Sequence, residues 1–242
     1  MILREIGDKQ GEGATLNNIS QIYYARGNYD TALTYLQPSL SIRQHIGDKQ
    51  GEGTTLNNMA ATAHARGGYD TALTYLQQSL SIQQQIGDKQ GEGTTLNNMA
   101  ATAHARGDYD TALTYLQQSL SIRQQIGDKQ GEGATLNNIS QIYAARGDYD
   151  TALTYLQQSL SIRQQIGDKA GLCATFFNIG HIYQRNNQKE TALLSWIESY
   201  QIAKQIGNAQ ALAALEKLAE RLGLPNGLEG WEALAEKLKI DE

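Results

Sequence analysis

The sequence predicts an all-α solenoid of antiparallel helix pairs, and three observations predict it. A 40-residue block recurs five times across residues 7–206. Inside each block the apolar residues follow helical spacing and never alternate with period two. Glycine turns fall at fixed places between the helical runs. The second and third copies, residues 47–86 and 87–126, differ only at Gly68/Asp108 and Gln83/Arg123. The first and fourth, residues 7–46 and 127–166, differ at Tyr24/Ala144, Asn28/Asp148, Pro38/Gln158 and His45/Gln165. A fifth, diverged copy occupies residues 167–206. A fixed period of this length means that units stack, each burying its apolar face against the next.

Each element has a local reason. In the first copy, Leu16, Ile19, Ile22 and Tyr23 mark one helix, which Asp8 can cap and Gly27-Asn28 ends. A second run holds Tyr29, Ala32, Leu33, Leu36, Leu40 and Ile46, and Gly47-Asp48 both closes it and opens the next copy. The small residues Ala32 and Ser39 let neighbouring helices approach closely. Pro38 falls inside the second helix, where a kink is expected at a cost of roughly 3 kcal/mol. In copies two and three, Ala63 and Ala103 stand where copy one has Tyr23, so thinner contacts between helices are expected there.

The ends extend the pattern to one domain over residues 1–242. Residues 1–6 read as the remnant of a preceding second helix, since Ile2-Leu3-Arg4-Glu5-Ile6 aligns with Ile42-Arg43-Gln44-His45-Ile46. The chain thus begins inside a repeat. Either it continues a longer array, or its open N-terminal face docks on something, another copy included. Residues 207–242 read as C-terminal capping helices. The first, from Asn208 to Leu222, carries a stripe of Leu212, Leu215, Leu218 and Leu222. After a turn at Leu224-Pro225-Asn226-Gly227, a short amphipathic helix presents Trp231, Leu234 and Leu238, with Trp231 read as a packing residue.

Composition narrows the function classes. Twenty Lys+Arg against 25 Asp+Glu give a net charge of −5, and the signs alternate within each copy, so no basic stripe for nucleic acid is expected. The single cysteine, Cys173, rules out an intrachain disulfide and fits a reducing compartment. Met1 to Glu5 carries no signal-peptide core and no segment suits a bilayer, so a cytoplasmic protein with no membrane partner is expected. Gly11-Glu12-Gly13 lacks the ending and the preceding strand of a phosphate loop. Ser20 and Ser140 have no base placed for activation, and Cys173 aligns with Gly13 as a packed small residue. His64 and His104 share one register position but have no third ligand, so no metal is expected. Neither catalysis nor a cofactor is expected.

Ile19, Ser20, Tyr23, Gly27, Tyr29, Ala32, Leu36 and Ser39 resemble the tetratricopeptide repeat pattern. Thr15-Leu16-Asn17-Asn18-Ile19, Arg26-Gly27-Asn28-Tyr29 and Leu40-Ser41-Ile42-Arg43 are similar to kinesin light chain repeats. The 40-residue length and the Gly-Asp-Lys-Gln-Gly-Glu linker are similar to LGN/Pins-type arrays. The resemblance implies a right-handed superhelical α-solenoid whose first helices line a concave surface. It is specific for fold and weak for function.

That implied wall defines the candidate residues. At 100° per residue, Asn17, Gln21 and Tyr24 share a polar side of the first helix, away from Leu16, Ile19 and Tyr23. Along the array the rows read Asn17, Asn57, Asn97, Asn137 and Phe177; then Gln21, Ala61, Ala101, Gln141 and His181; then Tyr24, His64, His104, Ala144 and Gln184. Arg185 joins one residue further on. An asparagine amide pairs with a peptide bond in both directions, so a column of them suits an extended chain. In the resembled families groove asparagines act in this way. The alternative is that duplication simply propagated a structural asparagine. Asn18, Asn58, Asn98, Asn138 and Asn178 lie at the groove edge and are expected to bond neighbouring helices as often as ligand. Phe177, His181 and Arg185 either form a pocket for an apolar anchor beside an acidic group, or Phe177 packs on the C-terminal helices.

The function expected is a scaffold binding an extended peptide or partner segment in its groove. The competing readings are a sensor arm of a larger signalling protein, and a self-assembly module using the N-terminal face.

Overall fold

A computed structural model describes residues 7–240, so the expected helix remnant at 1–6 lies outside the described residues. Among these residues the chain forms twelve α-helices and no strand. The first helices of the five repeats are α1 (Lys9–Ala25), α3 (Lys49–Ala65), α5 (Lys89–Ala105), α7 (Lys129–Ala145) and α9 (Lys169–Arg185). The second helices are α2 (Tyr29–Ile46), α4 (Tyr69–Ile86), α6 (Tyr109–Gln125), α8 (Tyr149–Ile166) and α10 (Lys189–Ile206). Two more follow, α11 (Ala209–Leu222) and α12 (Leu228–Ile240). The chain divides after Asp128 into two compact units. Within each, a first helix packs on its own second helix, the second helix packs on the next first helix, and successive first helices touch.

The repeated linker explains where every helix starts and stops. Asp8, Asp48, Asp88 and Asp168 each accept from the backbone N–H three residues on, at 2.8–2.9 Å, satisfying a donor that a helix start leaves open. Gly47 closes α2 in the left-handed region at φ 72°, and Asp48 N–H returns to Arg43 O at 2.9 Å, a Schellman ending. At the turn inside the repeat, where the earlier copies have Gly27, Gly67, Gly107 and Gly147, the fifth repeat has Asn187 at φ 58°, as asparagine tolerates. Gly51 has a packing reason as well: a Cβ there would collide with the capping Asp48 and with Arg43 of the preceding helix.

One hydrogen bond holds every helix pair. Ser39, Ser79, Ser119 and Ser159 each donate Oγ–H to the carbonyl of Gly13, Gly53, Gly93 or Gly133 at 2.8 Å. Ser199 does the same to Cys173 at 3.0 Å. Across repeat junctions, Arg66 pairs with Asp30 at 3.1 Å and Arg106 with Asp70 at 2.6 Å. The buried carboxylates Glu52 and Glu92 are held by Lys49 and Lys89 and by Gln44 and Gln84 of the preceding helix.

The first unit's core contains Leu76, Leu96, Met99 and Ala60, with Tyr75 and Tyr115 against it. Tyr23 stacks on Tyr35 at 5.4 Å and Tyr143 on Tyr155 at 5.5 Å. At the matching positions in copies two and three sit Ala63 and Ala103, which are buried without such a stack. In the second unit the core ends in Trp196, Leu215, Leu218 and Trp231. Trp231 is fully buried and donates Nε1–H to Leu215 O at 2.9 Å, so it is the packing residue expected. Its helix begins at Leu228, directly after the expected turn at 224–227.

Pro38 sits on the exposed side of α2, which runs unbroken from Tyr29 to Ile46. A local change accompanies it. The Thr34 hydroxyl donates to Thr31 O, whereas Thr74, Thr114 and Thr154 donate to the carbonyl four residues back. Proline crowds the carbonyl of residue i−4, which here is Thr34 itself.

Candidate functional site

The asparagine column that the sequence places on the ligand wall is engaged inside the array. Asn17 and Asn137 are only 5 % and 8 % exposed. Asn57 directs Nδ2 at three acceptors: Ser79 Oγ at 2.7 Å, Thr95 Oγ1 at 2.8 Å and Gly53 O at 3.3 Å. Asn97 donates likewise to Ser119 Oγ at 2.9 Å and Gly93 O at 3.4 Å. Each Asn57 bond reaches a different element, so this amide ties its own helix pair to the next first helix.

The neighbouring column completes the network. Asn58 donates Nδ2 to Asn17 Oδ1 at 2.9 Å, Asn98 to Asn57 at 3.1 Å, and, in the second unit, Asn178 to Asn137 at 3.1 Å. These bonds fix the amide orientations. The NH2 groups of Asn58, Asn98 and Asn178 are thus held by the array. Asn98 is exposed, and Asn58 and Asn178 are half-buried. Bonds to neighbouring helices, one of the two roles expected for this column, are present at Asn58, Asn98 and Asn178.

In the first unit the remaining wall residues come together. Tyr24, Ala60, Ala61, His64, Leu76, Asn98, Ala101 and Thr102 line a depression of about 140 Å³. The Ala61 and Ala101 side chains are short and exposed, so they open its floor. Its rim is aromatic: Tyr24 packs on Tyr29 at 5.5 Å and His64 on Tyr69 at 5.3 Å. The His64 ring nitrogen Nδ1 lies 3.2 Å from Thr102 Oγ1, which fixes the ring across the repeat junction. His104 meets Tyr109 in the same way at 5.5 Å, and burial holds its pKa below the ordinary histidine value. Gln21 is exposed beside this group.

In the second unit Gln141 is exposed, and the fifth repeat is reorganised around two tryptophans. Phe177 meets His181 edge-on at 4.6 Å, and His181 meets Trp196 at 5.2 Å. Trp196 donates Nε1–H to Phe177 O at 3.1 Å. Phe177, half-buried, also packs against the cluster that includes Trp196, Leu215 and Trp231. His181 is half-buried and Arg185 exposed. Burial is the main cause holding the His181 pKa down, with Arg221 and Arg185 adding to it and a hydrogen bond with Gln184 opposing it.

Sequence reasoning missed two features of this unit. Arg221 was one. The register offered the signal, because Gln21, Ala61, Ala101, Gln141 and His181 continue at the same 40-residue step to Arg221. The second is a cavity of about 550 Å³ between α10 and α12, lined by Glu198, Tyr200, Lys204, Glu232 and Glu236 among others. A Lys204–Glu232 ion pair crosses it. Cys173 is buried, with Sγ 3.4 Å from Ser199 Oγ. Among the described residues no group of three His, Cys, Asp or Glu is placed to hold a metal, and no helix is long and apolar enough to cross a membrane.

Comparison with known proteins supplies the context. A family model described as tetratricopeptide repeat matches residues 11–85, 51–125, 91–165 and 131–205. No curated protein matches at a significant level. Among solved structures, the chain is similar to a putative kinesin light chain from Podosopora anserina with nearly identical TPR-like repeats. The identity is 18 % and the TM-score 0.63, covering 79 % of this chain and 95 % of that one. It is also similar to the Rap conjugation gene regulator of plasmid pLS20 in complex with the Phr* peptide, at 12 % identity and TM-score 0.76, covering 98 % of this chain and 66 % of that one. A signal-transduction ATPase from Pyrococcus horikoshii with a tetratricopeptide repeat sensor matches at 19 % identity and TM-score 0.72, over 96 % of this chain and 36 % of that one. At these identities the likeness is one of fold.

Proposed function

Because the chain belongs to the tetratricopeptide repeat family, we propose that it is a non-catalytic interaction scaffold that holds an extended peptide segment of a partner along its first helices. The observation that carries this reading is the depression at Tyr24 and His64, where Asn98 of the second asparagine column lines the wall while its NH2 is held by Asn57. An extended peptide presents unpaired N–H groups at regular intervals, and a row of carbonyl acceptors fits them. Its side chains alternate, so every second one can enter a pocket. The depression, floored by alanines and rimmed by rings, suits an apolar side chain.

The network supports a division of roles among these residues. On this reading the first-column residues Asn17, Asn57 and Asn137 position Asn58, Asn98 and Asn178. Contact with ligand falls to Asn58, Asn98 and Asn178, with Gln21, Tyr24, His64, His104, Gln141, His181, Gln184 and Arg185 supplying side-chain recognition. The Rap regulator, solved with a peptide, is a fold-level parallel.

Peptide-display selection against the purified chain tests the reading, with His64→Ala as counter-screen. A recurring motif that weakens in the variant supports groove recognition. No enrichment from a folded chain sinks it, and favours the sensor-arm reading, in which the partner is a folded surface.

A further inference from the structure

Ring pairs recur once per repeat through the first unit. Tyr24 meets Tyr29 at 5.5 Å, His64 meets Tyr69 at 5.3 Å and His104 meets Tyr109 at 5.5 Å. Each pair joins the last turn of a first helix to the first residue of its second helix. The ring planes stand 54°, 63° and 48° apart, so none of these pairs is stacked face to face. Tyr24 is exposed and the other five rings are half-buried. Closing a helix pair does not require the leading ring. The fourth copy, nearly identical to the first, has Ala144 where Tyr24 stands, and its Ser159–Gly133 bond keeps the same 2.8 Å.

The step between ring pairs selects the form of the ligand. Packed neighbouring helices lie about 8–10 Å apart, and that distance separates one ring pair from the next. A flat strand turns the same face up every second residue, at about 6.6 Å. It fills the depression between Tyr24 and His64 and falls out of step beyond it. A polyproline II chain turns the same face up every third residue, at about 9.3 Å, and stays in step. An α-helix repeats a face over seven residues at about 10.5 Å, but its backbone groups are spent internally and offer nothing to Gln21 or Asn98. Chemistry selects the same ligand. The depression holds about 140 Å³, its floor includes Ala61 and Ala101, and no Asp, Glu, Lys or Arg lines it. The nearby charges Arg66 and Arg106 are matched by Asp30 and Asp70. A cationic side chain is drawn to tyrosine faces, but two of the three leading rings are imidazoles, whose protonated form repels it. A proline ring is small, apolar and fixed in φ before it binds, so it docks on aromatic walls at little entropic cost.

We propose that the first unit binds a proline-rich segment of a partner protein in the polyproline II form, with prolines three residues apart seated along Tyr24, His64 and His104. The proposal rests on the peptide-binding reading above and names the class of peptide. One proline occupies the depression, flanked by Tyr24 and His64. The residues between prolines meet the polar wall positions Gln21 and Asn98.

The test is a selection of random displayed peptides on the wild-type chain and on Tyr24→Ala/His64→Ala. The wild type is expected to return prolines three residues apart, and the double variant to lose that spacing. A resynthesised lead should bind about tenfold more weakly once its prolines are replaced by alanine, and by a similar factor to the double variant. Tyr24→Ala alone copies the residue native at position 144, so it guards against a folding defect, and it should weaken binding several-fold at unchanged Tm. His64→Tyr keeps a ring at the site and should retain the affinity that His64→Ala loses, which separates ring contact from mere bulk removal. Moving the prolines to every second position should weaken the lead as much as removing them. Added salt should change its affinity by no more than about twofold, since no ion pair is involved. A motif without proline, or a proline motif indifferent to Tyr24→Ala and to the double variant, overturns this site and leaves the groove reading standing. No motif on the wild type overturns both.

Discussion

Repeats two and three and the fifth repeat are built from one 40-residue plan, yet they solve different problems. In repeats two and three the junction is polar. Asn57 binds Ser79, Thr95 and Gly53, and Asn98 binds Asn57. In the fifth repeat the asparagine is replaced by Phe177, and the adjoining positions change with it. Trp196 takes the place of the leucine at 36, 76, 116 and 156, and Gly180 takes that of Ser20 or Ala60. The two changes are one event, because a Cβ at Gly180 would run into the Trp196 indole. A repeat facing another repeat can use a self-complementary amide network, whose partners recur by duplication. A repeat facing the terminal helices must bury unrelated surfaces, and large aromatic side chains do so with more area each.

The contrast can be broken from the aromatic side first. Trp231→Ala is expected to cost the second unit about 3–5 kcal/mol, the usual range for emptying a buried aromatic site. Urea unfolding reads it, and a loss below about 1 kcal/mol would mean that α12 docks without being needed. Gly180→Ala comes next, at about 1–3 kcal/mol, the range for overpacking a filled core. The same residue type is native at Ala60 and Ala100. If Gly180→Ala were neutral, the coupling between Gly180 and Trp196 would be wrong.

The smallest effect is electrostatic. His104 and His181 both have pKa values depressed below 6.5, first by burial and, for His181, also by Arg221 and Arg185. Below 6.5 the unfolded chain therefore binds protons that the folded chain resists. Stability is full above that pH and declines as pH falls from 6.5 toward the folded-state values. Tm should be lower at pH 5.5 than at pH 7.5, and His181→Gln should reduce the difference. An unchanged difference in the variant would remove His181 from the explanation.

Much of the fold was legible because its causes are local. Asp8 and Gly47 mark helix ends through backbone hydrogen bonding that involves a few residues, and the 40-residue period shows that one unit's solution serves the others. The wall was harder to read. Asn17 and Asn18 are adjacent, about 100° apart on one helix. Which of them faces the next repeat depends on the rotation between repeats, and helical periodicity carries no information on that. The three acceptors of Asn57 come from residues 4, 22 and 38 positions away, on three helices. Arg221 was overlooked for a different reason. Its helix lies beyond the last repeat, where similarity fades although the 40-residue step still holds.

The central claim is the division of labour between the two asparagine columns. It is tested most directly by measuring Tm and the affinity of a selected peptide for Asn57→Ala and Asn98→Ala side by side. Asn57→Ala should lower stability by about 1–3 kcal/mol, since it strands buried partners. Asn98→Ala should leave Tm close to wild type and weaken peptide binding several-fold. The opposite pattern, with Asn57 needed for affinity at unchanged Tm and Asn98 dispensable for binding, would contradict the account.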